Sequence, residues 1–175
     1  KHLNIPLLSI DLSAMTDSYF DTYAPDAVAL RRGNWMARIR MNVLYDLAAK
    51  HNALVLGTGN RTELMVGYCT QYGDSACAFE PIGHLYKTEV WAMSTALGLP
   101  DKVINKTPTA DLWEGQSDEA ELGISYPELD AILMAISANQ PLQSFSTQHV
   151  TKVNKLIRNS AFKRIMPPIL ERTKC

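Results

Sequence analysis

One segment constrains the fold more than any other. Ala53-Leu54-Val55-Leu56 is an unbroken apolar run, closed at once by Gly57-Thr58-Gly59, and a helical pattern starts at Arg61. A short apolar run without alternation suits a strand covered on both faces, the place of a central strand in a parallel sheet. In open α/β sheets ligands bind outside the carboxyl ends of strands, and a helix N-terminus favours an anion. Thr58 offers a hydroxyl at that point, and Glu63 a first-turn carboxylate suited to a metal ion. The same pattern is also an ordinary strand–turn–helix in which Glu63 complements the helix dipole, because many α/β turns look alike.

The rest of the chain repeats the alternation. Ile5 to Ile10 reads as a buried strand with Pro6 near its start. Asp11 to Asp26 reads as polar and aromatic with a short helical turn. Asn34 is the expected N-cap of a helix through Met36, Ile39, Val43 and Leu47, ending near His51-Asn52. A helix is expected over Arg61–Thr70, a loop over Tyr72–Gly83, and a helix over Lys87–Leu97 with Val90, Met93, Ala96 and Leu97 on its apolar stripe and Gly98 as its stop. Pro100–Gly123 reads as irregular. Ser125-x-x-Glu128 has the form of a capping box with Pro127 in the first turn, opening a helix to about Ala135. Another helix is expected over Ser146–Arg158, and regular structure ends in the tail at Phe162–Pro168. Strands alternating with helices predict an α/β fold with a mostly parallel sheet, organised as one domain over residues 1–175.

Composition removes several classes. With 17 Lys+Arg against 18 Asp+Glu among 175 residues, the net charge is −1, so no broad basic surface for nucleic acid is expected. No apolar run is long enough to cross a bilayer. The three cysteines Cys69, Cys77 and Cys175 form no disulfide framework, and their odd number points to a reducing, cytoplasmic compartment. The four histidines form no ligand pair, so no zinc site is expected. The chain starts at Lys1 rather than Met, and its natural start is expected to lie upstream. The seven methionines read as packing residues.

Other polar groups have two readings each. Gly57-x-Gly59 lacks the third glycine of a dinucleotide fingerprint, and there is no Walker A loop. Arg38 and Arg40 point to different sides of their helix, so one can meet a ligand anion while the other pairs structurally, or both are solvated. The segment Lys106-Thr107-Pro108-Thr109-Ala110-Asp111 with Gln116-Ser117-Asp118-Glu119 is either a substrate-reading loop or a capped surface turn. Lys87 opposes the dipole of the helix it opens, a hint of a phosphate partner. Lys163-Arg164 is either a second anion contact or a solvated basic tail.

Taken as a series, the motifs resemble the NAD synthetase family. The matching pieces are Gly33-Asn34-x-x-Ala37-Arg38-x-Arg40-Met41, Gly57-Thr58-x-Asn60-x-x-Glu63, Tyr72-Gly73-Asp74, Pro81-Ile82-x-x-Leu85-x-Lys87, Pro108-Thr109-Ala110-Asp111-Leu112, Gln116-Ser117-Asp118-Glu119-x-x-Leu122-Gly123 and Lys163-Arg164-x-x-Pro167. The resemblance implies a doubly wound, mostly parallel sheet of the ATP-pyrophosphatase (adenine nucleotide alpha-hydrolase-like) type. It implies ammonia-dependent amidation of deamido-NAD through an acyl-adenylate, with ATP and Mg2+ as cofactors and a homodimer as the assembly. Residue by residue, it implies that Thr58, Lys87 and Thr109 contact ATP and that Glu63 binds magnesium. Arg38 and Lys163 then contact deamido-NAD, and Asp111 lies near the reacting end.

Three positions depart from the family pattern: Gln71, Ala78 and Phe162 stand where many members have Lys, Asp and His. The family's Ser-Gly-Gly-x-Asp-Ser phosphate loop has no counterpart, since the chain has no Gly-Gly pair. The expectation is therefore a domain that lacks its first βα unit, and a fragment that by itself makes little or no NAD. No amidase segment supplies ammonia from glutamine, so free ammonia is the expected nitrogen source. Two alternatives stand beside the enzyme: a loop-less relative that binds a dinucleotide without catalysis, and another amide-forming ATP-pyrophosphatase such as a GMP synthetase relative.

Overall fold

The computed structural model describes residues 4–170, so the expectations for Lys1 and Cys175 lie outside the described residues. Among these residues eight helices follow in chain order: α1 Ser13–Tyr23, α2 Ala29–His51, α3 Arg61–Val66, α4 Lys87–Ala96, α5 Asp101–Ile104, α6 Asp118–Leu122, α7 Tyr126–Ser137 and α8 Thr147–Asn159. A 3₁₀ turn, Ala161–Arg164, ends the series among the described residues.

α7 organises the core. Leu129, Ile132 and Leu133 are fully buried on it, and Val66, Tyr86, Leu122, Ile124 and Val153 surround them. Each such aliphatic side chain contributes about 1.5–3 kcal/mol on burial. α3, α4 and α8 pack against α7, which places the starts of α3 and α4 side by side. A separate aromatic group ties α1 to α2: Tyr19 stacks on Trp35 at 3.8 Å, and Arg32 lies 4.4 Å over the Phe20 ring.

The expected sheet is represented differently. Among the described residues there is no strand, and one isolated parallel bridge joins Leu56 to Phe79. Its hydrogen bonds run from Ala78 N–H to Val55 O at 2.8 Å and from Gly57 N–H to Phe79 O at 2.9 Å. Ile5–Ile10 is irregular rather than a strand, and among the described residues none pairs with it as a β partner; its residues are exposed, Leu7 by 92%. Ala53–Leu56 is covered only in part, with Val55 buried and Leu54 74% exposed.

Several boundaries also move. The short turn expected after Asp11 is the 11-residue helix α1. α2 begins at Ala29, not at an Asn34 cap. The Asn34 side chain instead reaches out of the helix and accepts a hydrogen bond from the Thr70 hydroxyl. α3 stops at Val66 because Gly67 takes the left-handed conformation with φ +67°. The stretch expected to be irregular over Pro100–Gly123 contains α5 and α6. Ser125 makes no side-chain cap; Glu119 accepts the Tyr126 N–H instead, and Glu128 pairs with His149. The expected α4 stripe is not buried, since Met93 and Leu97 are exposed and Trp91 makes the core contact. Met65 and Met134 pack as expected, whereas Met15, Met93 and Met166 are exposed. No helix among the described residues is long and apolar enough to cross a membrane.

Candidate active site

The turn after the apolar run is shaped by packing. A Cβ on Gly57 would come within 2.6 Å of Cys77 Sγ and 2.7 Å of Glu80 Cγ. One on Gly59 would meet Glu80 Oε1 at 3.0 Å. The small residues thus let the chain pass closely over the Cys77–Glu80 segment, and Thr58 stays exposed between them. Burial raises the Glu80 carboxyl above the usual glutamate range, and the Cys77 thiol rises through burial and the nearby Glu80 charge.

α3 opens with a reciprocal cap. Asn60 Oδ1 accepts the Glu63 N–H at 3.0 Å, and Glu63 Oε2 accepts the Asn60 N–H at 3.1 Å. The other carboxylate oxygen of Glu63 meets Lys87 Nζ at 3.0 Å, with both side chains less than one-fifth exposed. The same ammonium lies 5.0 Å over the Tyr126 ring, a cation–π contact that steadies it. Glu63 is therefore both a cap, as the ordinary reading has it, and one half of an ion pair at a cavity wall.

That cavity has a volume of about 900 Å³. Thr58, Glu63, Lys87, Thr109 and Lys163 line it, so the structure brings together five of the seven side chains singled out by sequence. Lys163 is half-buried there, with its ammonium already donating to the carbonyls of Gly67 at 2.8 Å and Cys69 at 2.6 Å. Arg38 does not line the cavity; its Nε donates to the Gln71 carbonyl at 3.2 Å. Arg40, on the other side of α2, does line it. Asp111 lies off the lining, two-thirds exposed, paired at 2.6 Å with Lys106 and held at φ +50°.

Asp118 carries no local signal that sets it apart from its neighbours in the Gln116–Glu119 segment. It lines the cavity, is 4% exposed, and takes hydrogen bonds from Tyr68 at 3.1 Å and Tyr126 at 3.0 Å. Burial and the neighbouring carboxylates push both phenols above the ordinary tyrosine range, so they act as fixed donors. Gln116 extends the network, accepting the Leu112 N–H and donating to Glu121. The bonding capacity of Gln116 and Asp118 was readable; the convergence of Asp118 and Glu121 on Tyr68 was not.

Among the described residues no three His, Cys, Asp or Glu side chains converge as a metal cage. Mg2+ needs no such cage, because it keeps water and binds through one or two carboxylates plus phosphate oxygens. Glu63, a fixed carboxylate on a roomy cavity, fits that limited part.

Comparison with known proteins bears directly on this site. A family model described as NAD synthase matches residues 1–167. The NH(3)-dependent NAD(+) synthetase of Trichlorobacter lovleyi is 48% identical over 166 residues, covering 91% of this chain and 60% of that protein. The Chlorobaculum parvum protein of the same name is 45% identical over 173 residues, covering 95% of this chain and 62% of its own length. The chain thus spans about 60% of the length of these curated relatives. Among solved structures, NMN synthetase from Francisella tularensis superposes with a TM-score of 0.87 at 29% identity, covering 98% of this chain and 69% of that one. An NH3-dependent NAD synthetase from Campylobacter jejuni, in complex with nitrate, gives a TM-score of 0.78 at 35% identity, with 93% and 64% covered.

Proposed function

The chain belongs to the NAD synthase family, and from that membership we propose that it serves the ATP-dependent amidation of deamido-NAD with ammonia, giving NAD, AMP and pyrophosphate. A nicotinate carboxylate has no leaving group that ammonia can displace. Attack of its oxygen on the ATP α-phosphate releases pyrophosphate and leaves an acyl-adenylate. Ammonia then adds at the acyl carbon, AMP leaves, and a proton is lost from nitrogen. No covalent enzyme nucleophile takes part. The protein has to position the reactants, offset phosphate charge and keep water from the adenylate.

The observation that carries this proposal is the Lys87–Glu63 pair, a cation and a carboxylate 3.0 Å apart on one wall of the cavity. Lys87 is the residue to oppose phosphate charge, with Thr58 and Thr109 as hydroxyl contacts to ATP. Glu63 would hold Mg2+, which when bound shields the phosphates and makes pyrophosphate a better leaving group. Arg38 and Lys163 are the proposed contacts to deamido-NAD, and Asp111 the catalytic residue near the reacting end, helping to hold ammonia or the nicotinate. This requires Arg38 and Lys163 to exchange their present carbonyl partners and Asp111 to leave Lys106. We place residues 1–175 in one domain of a doubly wound, mostly parallel fold, with the Leu56–Phe79 bridge as its sheet element. A homodimer in the cytoplasm is the expected assembly and location.

A mononucleotide acceptor is the second candidate, for a specific reason. The superposition on the NMN synthetase has the higher TM-score of the two. Arg38 and Lys163 are also engaged by backbone carbonyls, and Gln71, Ala78 and Phe162 replace the family's usual dinucleotide contacts. Pyrophosphate release by the product of the complete gene, with ATP, Mg2+ and ammonium, separates these cases. Release that depends on deamido-NAD supports the first reading, and release with the acid mononucleotide alone supports the second. Release that depends on xanthylate points to another amide-forming ligase. No release with any acceptor, despite dinucleotide binding, leaves the non-catalytic binding relative.

A further inference from the structure

The first N–H groups of a helix have no intrahelical partner. In α4 two of them are taken by a buried pair of side chains from other elements. Thr62 Oγ1 accepts the Lys87 N–H at 3.0 Å, and Asp130 Oδ2 accepts the Thr88 N–H at 2.8 Å. Thr62 in turn donates its hydroxyl to Asp130 Oδ1 at 2.5 Å. Thr62 is 0% and Asp130 1% exposed. Thr62 precedes Glu63 on α3, Lys87 is the first residue of α4, and Asp130 stands on α7, the helix both pack against.

We propose that Asp130 and Thr62 are positioning residues: one buried carboxylate and one buried hydroxyl hold the first turns of α3 and α4 together, and so set Glu63 and Lys87 side by side at the cavity wall. This rests on the reading of Lys87 and Glu63 as the nucleotide and magnesium side chains. A carboxylate suits the task because both donors that face it, Thr62 O–H and Thr88 N–H, need acceptors and it supplies two. An amide at 130 turns one acceptor into a donor against one of them. A buried pair with only a core-filling role would alter stability and leave the ion pair where it is.

The test uses the chain itself. In the unsubstituted protein the Lys87 and Thr88 amides should exchange with solvent at least about tenfold more slowly than unpartnered first-turn amides. The Lys87 ε-methylene should carry an upfield ring-current shift from Tyr126. Thr62→Ser, which keeps the hydroxyl, should preserve both signals. Thr62→Val and Asp130→Asn, folded by circular dichroism, should lose the ring-current shift and weaken MgATP affinity about tenfold, the usual scale for removing a group that orients a ligand side chain. Fast exchange of both amides in the unsubstituted protein overturns the proposal, even where a variant fails to fold. A folded Thr62→Val that keeps the Lys87 shift also overturns it. Absence of MgATP binding by the unsubstituted protein counts against the nucleotide reading alone, since the exchange and ring-current results need no nucleotide.

Discussion

At the scale of single residues, chemistry depends on which groups already have partners. Lys87 has a carboxylate and a ring, yet still faces the cavity. Lys87→Met should weaken MgATP binding by about 10²-fold, the scale of losing one preorganised charge contact, as read by calorimetric titration. Glu80 offers a pH test. Burial raises its folded pKa, so the stability it contributes is complete below the ordinary glutamate range and is lost as pH rises through the folded value. Melting temperatures of the natural protein and Glu80→Gln should therefore run together in acid and separate toward neutral pH, with Glu80→Gln the more stable; parallel curves throughout would refute the assignment. The site was only half legible at this scale. Glu63 and Lys87 stood out as charges near helix starts. The outward turn of Asp111 and the capture of Lys163 by carbonyls did not, because both depend on neighbours set by the final packing.

At the scale of elements, α7 and the closure of α3 decide most of the stability. Leu133 is fully buried at the centre of the core, and Leu133→Ala should cost about 2–5 kcal/mol in denaturant unfolding. Gly67 ends α3 at φ +67°, and a Cβ there would lie 2.1 Å from that of Ser160. Gly67→Ala should destabilise by more than the ~1–2 kcal/mol of left-handed strain alone, and thermal denaturation reads the difference. α4, α7 and α8 were legible because helical spacing, Pro127 and Gly98 are local signals. α6 was not: Asp118 and Glu121 look like turn residues until Tyr68 supplies the donor they share.

At the scale of the whole molecule, apolar surface is distributed unevenly. Leu7, Leu8, Leu54 and Leu56 are all more than half exposed, whereas the α7 core is closed. Exposed apolar side chains in number favour association. The isolated chain should self-associate in a concentration-dependent way, and Leu7→Lys with Leu54→Thr should reduce that association in sedimentation velocity without lowering helix content. Unchanged association would show that these side chains are not responsible.

The chain's sequence by itself determined the helices with strong local signals and the family series of motifs. It also determined that a carboxylate and a cation would each sit at the start of a helix. Those properties depend on residues a few positions apart, where spacing alone dictates geometry. Tertiary structure decided which charges remain available. Lys87 meets Glu63 across 24 positions of chain, Thr62 meets Asp130 across 68, and Lys163 reaches Gly67 across 96. A side chain's partner at such separations is chosen by the packing of whole helices, and no local pattern records it.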